Sequence, residues 1–186
     1  AYNDNTGTSL TIDANTTYGG SYGIYAKNYG TGDLKIDAVT TTGYEDHGID
    51  AENHGTGALS ITTTGTTTGA DRGINADNYD TGTDLTIVAV NTYGDGDDGI
   101  AAYNYGSGAL SITTNGTTKG GVDGIYAKNY GTNLTIIAVN TYGDGDDGIH
   151  ANNYGSGALS ITTTGTTTGT ITGTNSYGIY AYNDYT

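Results

Sequence analysis

One six-residue pattern, Gly-Ile-x-Ala-x-Asn, recurs along the chain and constrains its fold more than any other feature. Successive copies begin 24 to 30 residues apart, at Gly23, Gly48, Gly73, Gly99, Gly124, Gly148 and Gly178. A second pattern, Leu-x-Ile, recurs in steps of 24 to 26 residues, at Leu10, Leu34, Leu59, Leu85, Leu110, Leu134 and Leu159. Repetition at a fixed period of about 20 to 50 residues is typical of proteins that stack one structural unit on the next.

Within each unit, inward and outward residues alternate with the period of two that marks a β-strand. Ile24, Ala26 and Asn28 would share one side of a strand, with Tyr25 and Lys27 on the other. One unit is too short to bury an apolar face alone, but stacked copies can pair in parallel and bury it together. We therefore predict an all-β fold, a single-stranded parallel β-helix (β-solenoid), with about 25 residues and three short strands per coil and roughly seven coils. Residues 1–186 would form a single array.

Stacking places equivalent residues in columns about 4.8 Å apart along the axis. The repeated Ile and Leu would form the core, and the glycine before each Ile would supply a corner with positive φ. We predict a structural ladder of asparagines, as in stacked-sheet fibrils: Asn28, Asn53, Asn78, Asn104, Asn129 and Asn153. The residue after each asparagine predicts a stacked aromatic ladder: Tyr29, Tyr79, Tyr105, Tyr130 and Tyr154, with His54 between the first two.

The alternation also predicts a flat outward column that mixes hydroxyls with methyls: Thr62, Val88, Thr113, Ile137 and Thr162. Strand propensity alone favours Thr and Val on any sheet. The same surface would also suit lateral packing against another solenoid, or recognition of ice. The tyrosine ladder would suit a glycan. These interpretations remain open at the level of the sequence.

Acidic residues gather in the third segment of each unit and suggest a cation site. The strings Asp-Gly-Asp-Asp predict Asp97, Asp98, Asp146 and Asp147 as candidate ligands for Ca²⁺, which accepts several carboxylate oxygens. The alternative is a set of solvated acidic turns that keep the rod soluble. We expect no other cofactor.

Composition narrows the classes of function. The chain has 20 acidic and 5 basic residues and thus a net charge of −15. This charge disfavours binding to nucleic acids and to anionic membrane surfaces. It has no cysteine and no apolar run near the ~18–20 residues that span a bilayer. His47, His54 and His150 show no spacing typical of a metal or nucleophile site, and one short insertion falls near residues 170–175. We predict no enzymatic activity, no nucleic-acid partner and no membrane insertion of this segment.

The segments at 23–36 (GIYAKNYGTGDLKI) and 57–69 (GALSITTTGTTTG) resemble the repeat regions of bacterial autotransporter passengers. These are secreted, adhesin-like β-solenoids of Gram-negative bacteria. The resemblance covers nearly the whole chain and brings no functional motif with it. It implies export, an extracellular or cell-surface location, and a structural or adhesive role.

The chain begins and ends in the same phase of the repeat, at Ala-Tyr-Asn-Asp. This predicts either a segment of a longer solenoid or a subunit that stacks on itself. The expected partners are another copy, end to end or side by side, or a host or matrix surface.

Overall fold

The computed structural model describes residues 1–170 and 175–184 and shows an all-β solenoid of about seven coils. Each coil of about 25 residues adds one strand to each of three faces, so the predicted fold class is confirmed. All paired strands in the described part of the chain run parallel. Those residues include no helix long and apolar enough to cross a membrane. The insertion predicted near residues 170–175 lies mostly outside the described residues.

Face 1 is a sheet of eight strands formed by the Gly-Ile-x-Ala-x-Asn repeat. The strands lie side by side in chain order: β1 (Tyr2–Asn3), β3 (Ile24–Asn28), β5 (Ile49–Asn53), β8 (Ile74–Asn78), β11 (Ile100–Asn104), β14 (Ile125–Asn129), β17 (Ile149–Asn153) and β20 (Ile179–Asn183).

Faces 2 and 3 belong to one twelve-stranded sheet, because two long strands, β2 (Leu10–Gly19) and β4 (Leu34–Gly43), run across both. Face 2 continues with the Leu-x-Ile strands β6 (Leu59–Thr63), β9 (Leu85–Ala89), β12 (Leu110–Thr114), β15 (Leu134–Ala138) and β18 (Leu159–Thr163). Face 3 continues with β7 (Thr66–Gly69), β10 (Asn91–Gly94), β13 (Thr117–Gly120), β16 (Asn140–Gly143) and β19 (Thr167–Thr168).

Equivalent residues of successive coils lie directly beside one another, and this register builds the core. On face 1, Ile100 pairs with Ile74 on one side and Ile125 on the other. These residues and Leu110 of face 2 are fully buried. Since burying one such side chain is worth about 1.5–3 kcal/mol, the stacked columns are the main favourable contribution to folding. The last coil is less covered, and Ile179 is 42% exposed.

The prediction of a positive φ at the glycine before each Ile is wrong. No glycine of the described chain has a positive φ. Instead, a Cβ atom at Gly48 would lie 2.7 Å from the carbonyl oxygen of Gly73 and 2.7 Å from Cγ2 of Thr67. The close approach of the neighbouring coil therefore excludes a larger residue at this corner.

The core of face 3 is a column of threonines that the sequence analysis did not identify. The chain turns between faces 2 and 3, so the alternation of inward and outward residues along face 2 does not continue into face 3. On face 3 the second residue of the short strand, such as Thr67 in β7, points inward. The members of this column are fully buried: Thr41, Thr67, Thr92, Thr118 and Thr141. Their hydroxyls have no hydrogen-bond partner within the described residues. A buried unpaired polar group costs about 1–3 kcal/mol, so this column stabilises the fold less than the Ile and Leu columns do.

The asparagines form a continuous hydrogen-bonded ladder along one edge of face 1. Asn53 Nδ2 donates to Asn78 Oδ1 at 2.8 Å, and Asn78 Nδ2 donates to Asn104 Oδ1 at 2.8 Å. Asn78 Nδ2 also donates to the carbonyl of Thr83 in its own coil, at 3.0 Å. The axial bond recurs from Asn3 to Asn183 through the predicted members: Asn28, Asn53, Asn78, Asn104, Asn129 and Asn153. Each amide thus joins two coils and fastens the loop of its own coil.

We expect Asn78→Ala to lower the free energy of unfolding by about 3 kcal/mol, because several buried polar groups lose their partner. Asn53 loses its acceptor, while Asn104 and the Thr83 carbonyl lose their donor. Urea denaturation followed by circular dichroism measures the loss. Asn115→Ala, at an exposed position, is the matched control and should change stability little. Equal effects of the two substitutions would contradict the role assigned to the ladder.

Candidate functional site

An aromatic column runs beside the asparagine ladder. His54 lies between Tyr29 and Tyr79, with ring centroids 4.5 and 4.0 Å away. The stack continues at 5.2 to 6.2 Å between neighbouring rings through the other predicted members: Tyr79, Tyr105, Tyr130 and Tyr154. Pairs with this geometry are worth about 0.5–1.5 kcal/mol each beyond the area they bury. Tyr130 is nevertheless 42% exposed, so the column also presents ring surface to solvent.

The outward side of face 2 carries the predicted column of Thr, Val and Ile. Thr113 pairs in register with Val88 and Ile137, and the full column comprises Thr62, Val88, Thr113, Ile137 and Thr162. A second column, mostly of hydroxyls, lies two residues before it: Thr11, Lys35, Ser60, Thr86, Ser111, Thr135 and Ser160. Asp37 and Asp13 continue the first column at its N-terminal end. The result is a surface two columns wide, half-exposed at Thr113 and 44% exposed at Ile137.

A network of charged and amide side chains covers part of the outer side of face 1. Arg72 Nε donates to Asp97 Oδ2 at 2.8 Å, and Arg72 Nη1 donates to Asn75 Oδ1 at 3.0 Å. Asn75 Nδ2 donates in turn to Asp50 Oδ1 at 3.0 Å and to Asp77 Oδ2 at 3.1 Å. The only arginine of the chain therefore links carboxylates from three successive coils, that of Asp97 directly and those of Asp50 and Asp77 through Asn75. The bonds from Arg72 to Asp97 and from Asn75 to Asp50 each span 25 residues, so the local sequence does not indicate them.

Three aspartates stack at the corner between faces 3 and 1, two residues before the repeated Ile; we call them the acidic corner. Asp98 Oδ1 accepts the backbone N–H of Asp123 at 3.2 Å, and Asp123 Oδ1 accepts that of Asp147 at 2.7 Å. Asp147 Oδ1 accepts the backbone N–H of Tyr177 at 2.6 Å. The three aspartates are only 4%, 4% and 2% exposed. One oxygen of each carboxylate thus joins its coil to the next.

Burial makes these carboxylates hard to ionise. It raises the pKa of Asp98 to about 7, and the neighbouring carboxylates of Asp97 and Asp123 add to the rise. Burial likewise raises the pKa of Asp123 to about 6. On face 1, burial raises the pKa of Asp77 to about 6, with a further contribution from the Asp50 carboxylate.

The four aspartates predicted as calcium ligands come from two strings about two coils apart, too far apart to share one ion. Asp97 is held by Arg72, whose Nη2 lies 2.6 Å from Asp97 Oδ2. Asp98 and Asp147 belong to the acidic corner, at separate levels of the stack. Asp146 belongs to neither of the two groups of three potential metal ligands in the described part of the chain.

Each of those two groups contains a histidine, although the sequence around it shows no spacing typical of a metal site. One consists of Asp46, His47 and Asp71, and the other of Asp123, Asp147 and His150. In each group the carboxylates come from successive coils, and the ligand atoms lie within 4.8 Å of one another. The sequence period of 24 to 25 residues could have indicated these groups, because it places Asp123 beside Asp147 in successive coils.

Comparison of the chain with protein-family models, with curated proteins and with solved structures found no match.

We expect the rod to be more stable at pH 4.5 than at pH 8. A carboxyl with a raised pKa in the folded state binds a proton more tightly there than in the unfolded chain, where its usual pKa is 3.8. Its favourable contribution is therefore complete below about pH 4 and is lost as the pH rises through 6 to 7, the values for Asp123 and Asp98. Thermal unfolding followed by circular dichroism at both pH values measures the difference.

Asp98→Asn tests the origin of this effect, because an amide oxygen can still accept the N–H of Asp123. The variant should show a smaller loss of stability between pH 4.5 and pH 8 than the parent chain. Unchanged or rising stability of the parent chain over that interval would contradict the burial argument.

Proposed function

We propose that this chain is a rigid, non-catalytic rod of an extracellular or cell-surface bacterial protein, with a structural or adhesive role. The observation that carries the proposal is the unbroken register of the coils, in which the axial asparagine bonds continue from Asn3 to Asn183. A solenoid of this kind acts as a spacer, because each coil contacts only its neighbours and length grows with the number of coils. The likeness of the repeats to autotransporter passengers supports the location.

The outward surface of face 2 supports a role in contact with another body. It is flat and poor in charge between Thr62 and Thr162, on a chain whose net charge is −15. At the acidic turns two approaching copies would bring carboxylates together, whereas this surface offers methyls and hydroxyls. We propose that lateral packing of copies, or attachment to a host or matrix surface, uses this face. Stacking of copies end to end is the other arrangement by which such a rod would assemble.

A second candidate function is recognition of a repetitive ligand. Hydroxyls and methyls arranged in rows about 4.8 Å apart would suit ice, and a row of half-exposed rings would suit the flat faces of sugars. The specific observation in its favour is the continuous stack from Tyr29 to Tyr154, in which Tyr105 is 36% exposed and Tyr130 is 42% exposed.

Sedimentation velocity and electron microscopy over a concentration series test the proposed rod and its lateral contact. The chain should appear as short rods that associate side by side as concentration rises. A triple variant, Thr62→Lys, Thr113→Lys and Thr162→Lys, should remain dispersed, because three ammonium groups would prevent close packing of face 2.

The matched control places the same three charges on exposed loop positions of another surface: Thr31→Lys, Ser107→Lys and Ser156→Lys. It should associate like the parent chain. Equal association by both triple variants would rule out face 2 as the contact. Loss of ice recrystallisation inhibition in the face 2 variant alone would instead favour the second candidate, with ice as its ligand.

A further inference from the structure

Two carboxylates and an imidazole converge near the C-terminal end of the acidic corner. His150 Nδ1 lies 3.1 Å from Asp147 Oδ2 and 3.9 Å from Asp123 Oδ2. The other oxygens, Asp147 Oδ1 and Asp123 Oδ1, already accept backbone N–H groups of the next coil. Asp123 Oδ2, Asp147 Oδ2 and His150 Nδ1 therefore remain, and these three atoms lie within 4.8 Å of one another.

Asp123 Oδ2 is the atom whose environment is incomplete. Asp123 is 4% exposed, and the imidazole of His150, at 3.9 Å, is beyond hydrogen-bond distance of this oxygen. Within residues 1–170 and 175–184 no donor bonds to it. A carboxylate on a largely buried side chain is stabilised by a nearby positive charge.

The opposite end of the acidic corner shows what compensates such a carboxylate. There the Arg72 guanidinium lies 2.6 Å from Asp97 Oδ2 and 3.8 Å from Asp98 Oδ2. At the Asp123–Asp147 level no arginine or lysine forms an ion pair with either carboxylate in the described residues. Among the residues that the structure describes, His150 is the one basic side chain within 4 Å of them. The acidic corner thus has a guanidinium at one end and an imidazole at the other.

We propose that Asp123, Asp147 and His150 bind a divalent first-row transition cation of the zinc type, through Asp123 Oδ2, Asp147 Oδ2 and His150 Nδ1. Imidazole nitrogen together with carboxylate oxygen suits this class, whereas Ca²⁺ takes oxygen ligands alone. Tetrahedral zinc with bonds of about 2.0–2.2 Å separates its ligand atoms by about 3.3 Å. The observed separations from Nδ1, 3.1 and 3.9 Å, lie on either side of that value. A small movement of Asp123 would close the site.

The surroundings of His150 favour a fixed ligand. Its ring lies between Tyr126 and Tyr180 of the adjacent coils, with centroids 4.9 and 4.7 Å away. These rings restrict rotation of the imidazole, so that Nδ1 stays directed at the two carboxylates. His150 is half-buried, which leaves room for a water molecule to complete the coordination.

The second histidine cluster, Asp46, His47 and Asp71, differs in the availability of its imidazole nitrogen. Nδ1 of His47 already accepts the backbone N–H of Arg72, at 3.4 Å, so its lone pair is engaged. Its carboxylates are also more exposed, 34% at Asp46 and 47% at Asp71. This cluster therefore offers a weaker donor set and serves as an internal control.

Titration of the whole purified chain with Co²⁺, a spectroscopic substitute for Zn²⁺, tests the proposal. The visible absorption of a tetrahedral complex should saturate at one equivalent, and Zn²⁺ should displace it. His150→Ala should weaken binding at least tenfold. Alanine is compatible with the fold at this position, because Ala101 occupies the equivalent place in β11.

Asp123→Asn provides a second variant, since it keeps an acceptor for the N–H of Asp147 while removing the charge. It should weaken Co²⁺ binding by a similar factor, whereas His47→Ala should leave binding unchanged. Zn²⁺ should raise the unfolding temperature of the parent chain and not that of His150→Ala. The proposal is overturned if no saturable binding occurs. Binding that survives both His150→Ala and Asp123→Asn, or that depends on His47, would overturn it equally.

Discussion

The structure depends on one constraint, the parallel pairing of each strand with its equivalent in the next coil. The backbone groups of a strand find partners only above and below, so every residue lies beside its own counterpart about 4.8 Å away. Ile100 therefore meets Ile74 and Ile125, and Asn78 meets Asn53 and Asn104. Residues that attract their own kind, such as isoleucine, asparagine and tyrosine, are favoured by this geometry. The same geometry makes a column of aspartates costly.

The acidic corner shows how the chain manages that cost. Backbone N–H groups of the following coil satisfy one oxygen of Asp98, Asp123 and Asp147, but they do not neutralise the charge. Burial and mutual repulsion then raise the pKa values of Asp98 and Asp123. Arg72 compensates one end of the corner, and the imidazole of His150 lies beside the carboxylates at the other. The regular columns of Ile, Leu and Asn provide stability. The carboxyl groups with raised pKa values lie where the same regular stacking places aspartates beside one another.

The repeat made most of the fold predictable from sequence. The period set the coil, alternation set the strands, and the positions of Leu110 and Ile100 set the core. Side chains beyond the repeat were harder to place. The inward threonines of face 3, such as Thr92, were missed because the turn between faces restarts the alternation. The pairing of His150 with Asp123 and Asp147 was missed because His150 differs in type from the two aspartates and occupies a different position of the coil. The corner at Gly48 requires glycine because the neighbouring coil approaches it closely, and not because its φ is positive, as the sequence had suggested.

The central claim, one coil of rise per repeat, is tested most directly by distances between paired spin labels. The chain has no cysteine, so two introduced at outward positions of face 2 are the only sites labelled. Labels at Lys35 and Ser160 lie five coils apart, and labels at Thr11 and Ser160 lie six apart. Narrow distributions near ~24 and ~29 Å, differing by one strand spacing, are the predicted result. Broad distributions, or distances that do not increase with the number of coils, would contradict the account.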